Sequence, residues 1–434
     1  MPHNRWLVVL GAVLIQLSLG AIYIYSIFKP ALKAHFPSWS ATDLALPSQA
    51  VLAAFALSMV VSGRLQDRFG PKRTAIAGAF LLLAGMYVAA KAAGLFQFIL
   101  GFGVLAGAGI GAAYVCPIAA CVKWFPDKRG LVTGIAVAGF GAGSLIFAPV
   151  ASMLISQIGI MASLFYLGLI YFFAIIIGAL LMKNPSAGYC PPGAQPQVNQ
   201  NLASNIEFTP REMIKNPQFF RLWFTYFIGC SAGLLVIMNL ANIWQSAALI
   251  NIANTQEVIS NNQFAAIMRQ GVLAVMVVAI FNSLGRIVSG YISDRIGRQK
   301  TMAIIFVACG SAMVILAGLS SFALFLLAVS LIGFCFGGFL ALYPAATADN
   351  FGVKNIGSNY GLMFSAYGAA GLIGPWLAPR LISNLRNIPY ENAETAIKVV
   401  EVGSYSVSLI LIGLLCYAAA FVVFNAKQKK AASR

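Results

Sequence analysis

The chain has 434 residues, 60% of them apolar and only 9% charged, with a formal net charge of +17. A soluble globular chain is roughly 45–50% apolar and about 25% charged, so this composition excludes a water-soluble fold and leaves no length for a large soluble catalytic domain. The positive charge sits in loops between apolar runs, which makes it a matter of membrane topology and lipid headgroups rather than of nucleic acid.

From the start, MPHNRW runs directly into an apolar stretch that reads as a first membrane helix and not as a removable signal. Apolar runs of about 20 residues suffice to cross a bilayer. They predict twelve spans, at 6–28, 45–63, 74–94, 97–121, 131–155, 162–182, 220–247, 270–292, 301–320, 323–346, 359–382 and 403–425. The longest break, 183–219, is rich in Pro, Asn, Gln and charge. The expected architecture is therefore all-α: a bundle of six helices over 1–182, a cytoplasmic central loop over 183–219, and a second bundle with a cytoplasmic tail over 220–434. With an even number of spans both termini share one face, and that face carries 20 Lys and Arg against 7 on the other. The termini are expected in the cytoplasm and the protein in the cell membrane.

Seven cysteines form no C-x-x-C pair, and six lie in apolar runs, so they read as small hydrophobes rather than disulfides or metal ligands. GAGIGA at Gly107 has no preceding strand, which argues against dinucleotide binding, and no G-x-x-x-x-G-K-[ST] loop is present to drive transport with ATP. No cofactor, metal or protein partner is called for.

The chain contains an internal repeat. The loop SGRLQDRFGPKRTA (Ser62–Ala75) recurs as SGYISDRIGRQKTM (Ser289–Met302), with Asp67 and Asp294 separated by 227 residues. Gly130 and Gly357, Gly134 and Gly361, and Gly141 and Gly368 keep the same interval. A short basic turn with one carboxylate suits a latch at the cytoplasmic rim, the acid pairing with arginines or a helix N-terminus. The candidate latch residues are Asp67, Arg68, Arg73, Asp294, Arg295 and Arg298. This motif and the six-plus-six arrangement resemble the major facilitator superfamily over the whole chain, which implies two halves that rock about a midplane site.

All eleven acidic residues fall in loops or at span ends, whereas Arg286 lies one to two turns inside span 8. A buried arginine costs at least about 2.5–3.5 kcal/mol, and its usual intramembrane acid is missing, so the expected countercharge is a carboxylate cargo gripped by the guanidinium fork. Asn282, one turn earlier, is placed to orient the guanidinium or the cargo. Tyr23, Phe28, Tyr114, Phe336, Phe364 and Tyr367 are candidates to wall a small pocket, or else pack the bundles. The glycine-spaced spans 5 and 11 are explained by close helix packing.

KWFPDKRG at Lys123, NPQFFRLW at Asn216 and R-x-x-x-G-x-x-S-D-R-I-G-R-x-K-T from Arg286 further resemble the oxalate:formate antiporter and monocarboxylate transporter families. That resemblance implies Arg286 as the carboxylate-binding arginine, and Tyr367 where the antiporter has a second cation, which argues for a monocarboxylate over a dianion. It also places Asn282 where proton-coupled relatives carry an Asp, and Lys29 where they carry a Lys. Lys29 and His35 are therefore the candidate proton carriers. The expected function is alternating-access transport of a lactate- or pyruvate-like monocarboxylate with a proton. Anion exchange is the alternative, a non-transporting membrane sensor a more remote one, and an enzyme is not expected.

Overall fold

The computed structural model describes residues 4–186, 189, 207–391 and 397–425, except the side chains at 21, 23, 41 and 375–379. Among them, nine helices are long and apolar enough to cross a membrane. One of the nine, Arg129–Leu180, is two spans joined without a loop, bent at Gly159 where φ is 75°. With spans 1 and 11, which are each broken into shorter helices, the twelve expected spans are present.

In chain order, α1 comprises Arg5–Leu19, a 3-10 turn Gly20–Ile24 and Tyr25–His35. Helix α2 is Ala41–Phe69, α3 Pro71–Ala90 and α4 Leu95–Trp124, the last with a π-helical stretch Ile99–Ala106. The long bent helix provides α5 (129–158) and α6 (160–180). Helix α7 is Pro217–Ala253, α8 Asn261–Ile296, α9 Arg298–Leu316 and α10 Phe322–Phe351. Helix α11 is Ile356–Met363 continued by Ser365–Arg380, and α12 is Ser406–Phe424. The sequence expectation missed a two-stranded antiparallel hairpin between α11 and α12, β1 (Ser383–Glu391) and β2 (Ile397–Ser404). It is tied to the loop before α8 through Ile259, and Tyr390 stacks on Phe264 at 4.1 Å.

Local chemistry sets the helix ends. Ser40 with Asp43, and Ser260 with Gln263, form capping boxes at the starts of α2 and α8. The same helices end on Gly70 (φ 86°) and Gly297 (φ 95°), a left-handed backbone that glycine adopts at no steric cost. These two glycines are 227 residues apart, so the repeat in the sequence is a repeat in turn geometry.

The two halves meet along two seams, α2 against α11 and α8 against α5, and the seams are copies of each other. A Cβ on Gly63 would lie 2.2 Å from the Gly357 carbonyl oxygen, and one on Gly290 would lie 2.2 Å from that of Gly130. One turn deeper, a Cβ on Gly361 would meet the Met59 carbonyl, and one on Gly134 the Arg286 carbonyl, each at 2.3 Å. Both seams close at the face that carries the signature loops, here called the basic face. Away from the seams, large apolar side chains such as Leu57 and Phe96 point outward, as a lipid-facing surface requires.

Gly63→Val should prise the α2–α11 seam apart. Overpacking of this kind costs about 1–3 kcal/mol, and it should appear as a lowered melting temperature in detergent, with a control such as Gly94→Val, where a Cβ meets nothing within 4 Å, unaffected.

Candidate functional site

At the basic face the two conserved-interval aspartates each cap a helix of the opposite half. Asp67, at the end of α2, accepts from the backbone N–H groups of Gly357 (3.1 Å) and Ser358 (2.7 Å) and from the Ser358 hydroxyl (2.7 Å), at the start of α11. Asp294, at the end of α8, accepts from the N–H groups of Gly130 (2.9 Å) and Leu131 (2.8 Å), at the start of α5. A carboxylate on a helix N-terminus satisfies orphan donors and the positive end of the dipole together.

Arg298 pairs with Asp294 at 2.7 Å and with Asp349 at 3.0 Å, and Asp349 also holds Arg129 of the other half at 2.7 Å. Of the sequence candidates, Asp67, Asp294 and Arg298 thus join the inter-half contacts. Arg68, Arg73 and Arg295 lie exposed beside them: Arg68 sits over Phe69 and Arg295 over Tyr291. Asp349 and Arg129 were not foreseen as members.

Deeper along α8, Arg286 is 0% exposed. Its Nε donates to Asn282 Oδ1 at 3.2 Å, and its Nη1 donates to the Val137 carbonyl of α5, across the seam. Its Nη2 is buried without a hydrogen-bond partner. Asn282 therefore orients the guanidinium, one of the two roles its spacing allowed. The Phe140 ring lies 5.7 Å from the guanidinium carbon.

From Phe140 an aromatic cluster spreads across both halves. Tyr114 meets Phe140 at 5.0 Å, Phe55 at 5.1 Å and Phe364 at 5.3 Å, and Phe364 stacks on Tyr367 at 4.6 Å. Tyr114 thus packs on the ring that lies against the guanidinium, and Phe364 and Tyr367 join the same cluster beyond it. Phe55 and Phe140 were missed, although each has a marked mate in the repeat: 55 with Asn282, and 140 with Tyr367.

Other candidates lie elsewhere. Phe28 packs on Tyr25 and Phe102 inside the first half, and Phe336 lies against Gly233 inside the second, because each faces its own bundle core. The side chain of Tyr23 is outside the described residues. Lys29 is half-buried with its ammonium 5.9 Å from the Tyr25 ring, and His35 is exposed at the end of α1, against Phe36. The six cysteines within the described residues are buried, and Cys190 falls outside them.

The arrangement provides a buried cation with an aromatic ring against it, and two carboxylate caps at the seams on either side. Such a group is chemically suited to a small anion, and the fold defines an integral membrane carrier. The comparisons agree. The family model of the Major Facilitator Superfamily matches residues 8–375 and 248–433, and the chain belongs to that superfamily. It is 30% identical over 372 residues to an uncharacterized MFS-type transporter YhjX of Escherichia coli, covering 85% of this chain and 86% of that one. It is 30% identical over 397 residues to the oxalate:formate antiporter of Oxalobacter formigenes, covering 88% and 86%. Among solved structures it superposes on FucP, a Major Facilitator Superfamily transporter in the outward conformation, with a TM-score of 0.68 at 14% identity over 98% of this chain and 99% of that one.

Asp294→Asn should loosen the α5–α8 seam. The buried Thr133, replaced by cysteine (Thr133→Cys), is expected to react several-fold faster with a membrane-impermeant maleimide applied to the basic face when Asp294→Asn is also present; unchanged labelling would show that the aspartate does not hold the seam.

Proposed function

We propose that this transporter carries small monocarboxylates of the lactate or pyruvate type, with Arg286 as the group that receives the carboxylate. The observation behind this reading is an asymmetry in an otherwise symmetric contact. Met59 is the repeat mate of Arg286, 227 residues earlier, and it occupies the equivalent backbone contact, equally buried. A thioether fills that position in one seam, so packing does not require a cation in the other. A buried guanidinium with an unmet donor is costly, and an anionic cargo removes that cost. A relative 26% identical over 388 residues is the apicoplast pyruvate carrier 1 of Toxoplasma gondii, and another, 24% identical over 403, is monocarboxylate transporter 12 of Xenopus laevis. Their names support a small-carboxylate cargo.

In this reading Asn282 fixes the guanidinium, Tyr114, Phe364 and Tyr367 wall the pocket with Phe55 and Phe140, and the Asp67 and Asp294 caps are the latch that opens when the halves rock. The bundles are those of 1–182 and 220–434 with the 183–219 loop between them. The basic face is cytoplasmic and the protein works in the cell membrane, without a protein partner. A proton accompanies the anion, taken by Lys29 or His35 or carried in with the carboxylate itself. The cycle is then electroneutral and escapes the membrane potential, about 2.3 kcal/mol per charge per 100 mV.

A second reading, carboxylate exchange, is favoured by Asn282, an amide that does not ionise and so cannot carry a proton, as the side chain bonded to Arg286. Proteoliposomes separate the two. Symport predicts lactate uptake driven by an inward proton gradient alone, whereas exchange predicts uptake that ignores the gradient and requires carboxylate inside.

Arg286→Gln is expected to reduce uptake by at least about 100-fold, the loss of a charge-assisted bond of roughly 3 kcal/mol, while the protein still reaches the membrane. Uptake near the wild-type rate would refute the assignment. Tyr367→Lys adds a second cation to the same aromatic cluster and is expected to raise affinity for a small dicarboxylate relative to lactate, measured by thermal shift; no relative gain would count against the one-cation account of selectivity.

A further inference from the structure

At the end of the aromatic cluster away from Arg286, two phenols lack a partner. Tyr226 of α7 and Tyr360 of α11 are 0% and 1% exposed, and both hydroxyls are buried without a hydrogen-bond partner. Their rings lie 6.5 and 5.8 Å from that of Phe364, and the Tyr360 hydroxyl faces those of Tyr226 and of Tyr114 in the other half. Tyr226 is held by stacking on Tyr343 at 4.2 Å, and Tyr343 in turn donates to Thr225 at 2.8 Å. Tyr360 comes one turn before Phe364, where α11 breaks, and two residues after Ser358, which Asp67 caps at the rim. Helical side chains lean toward the helix N-terminus, so the pair stands between the aromatic cluster and the basic face.

Packing does not account for these hydroxyls. The repeat mates of Tyr114 and Tyr360 are Ala341 and Thr133. In the other seam those two make the equivalent contact with its one hydroxyl satisfied, Thr133 donating to the Ala341 carbonyl at 3.2 Å. An unmet buried hydroxyl costs about 1–3 kcal/mol. Two O–H donors that face each other match the two oxygens of one carboxylate, and hydrogen bonds from hydroxyls to carboxylates are short and strong.

We propose that the hydroxyls of Tyr226 and Tyr360 form a second, uncharged carboxylate site between the aromatic cluster and the basic face. It rests on the cargo being a small monocarboxylate. With no cation to offset desolvation of the anion, it holds the carboxylate more weakly than Arg286 does, which suits a place where cargo enters or leaves at the basic face.

The test uses the full-length protein with Tyr226→Phe and Tyr360→Phe combined, which removes both hydroxyls and keeps both rings. Because the hydroxyls are unmet, the melting temperature should not fall. Adding saturating lactate to the wild type in nanodiscs should perturb a tyrosine hydroxyl band in difference infrared spectra; the band change should persist in Arg286→Gln and vanish in the double variant. In vesicles the double variant should raise the KM for lactate offered at the basic face roughly tenfold, the equivalent of one hydrogen bond, and leave the KM at the opposite face within about twofold. The second site is overturned, and Arg286 stands as the receiving group, if the wild type shows no such band change, if Arg286→Gln loses it, if both KM values move together or not at all, or if the melting temperature drops. If Arg286→Gln transports at the wild-type rate while the tyrosine band still responds, the Arg286 assignment falls and the second site stands.

Discussion

A guanidinium in the interior of a bilayer has to find acceptors for its five N–H donors, and in this chain it finds them in two places that differ in kind. Asn282 is on its own helix and moves with it. The Val137 carbonyl is on the other half and does not. The third contact, at Nη2, is not met by the protein. The surroundings of Arg286 follow from this single constraint. Because the charge lies in a seam and not inside a bundle, whatever neutralises it also bears on whether the halves are together.

The seams themselves are built from backbone. Glycines at 63, 130, 134, 290, 357 and 361 allow helices of opposite halves to approach until a Cβ would collide with a carbonyl oxygen. Contacts of this sort rely on van der Waals packing and on polar pairing at the ends, since lipid offers no hydrophobic drive for helix association. The carboxylate caps supply the polar pairing. Each bonds donors that a helix start leaves unsatisfied, so opening a seam exchanges protein partners for water at an exposed rim rather than stranding a charge in lipid. For the proposed latch this makes opening less costly than breaking a buried ion pair.

Much of this was legible in the sequence because it repeats. The 227-residue interval located both caps, both terminating glycines and the glycine-lined helices α5 and α11, and the hydropathy located the spans. What escaped was whatever depends on long-range placement. Nothing local distinguishes Phe28, packed inside its bundle, from Phe55, which faces the other half; the distinction needed the repeat mate, Asn282. The hairpin of β1 and β2 carries its signal in Ile397-Lys-Val-Val-Glu-Val, a short apolar run interrupted by charges, too short for a span and easily read as loop. The broken first span is a further case, since a 3-10 turn at Gly20–Ile24 leaves hydropathy untouched.

The repeat also explains why the charge is informative. In a fold made from two copies of one plan, residues that serve packing tend to have equivalents, and the seam glycines do. Arg286 and Asn282 have Met59 and Phe55 in their places, and Phe140 has Tyr367 as its repeat mate. The site is therefore an apolar, aromatic contact in one seam and the same contact made polar in the other. A single anion bound at such a place sits off the symmetry axis, held by one half and walled by both. In the proposed function that geometry puts one ligand against both halves at once, because Phe55 and Phe140 belong to the first half and the guanidinium to the second.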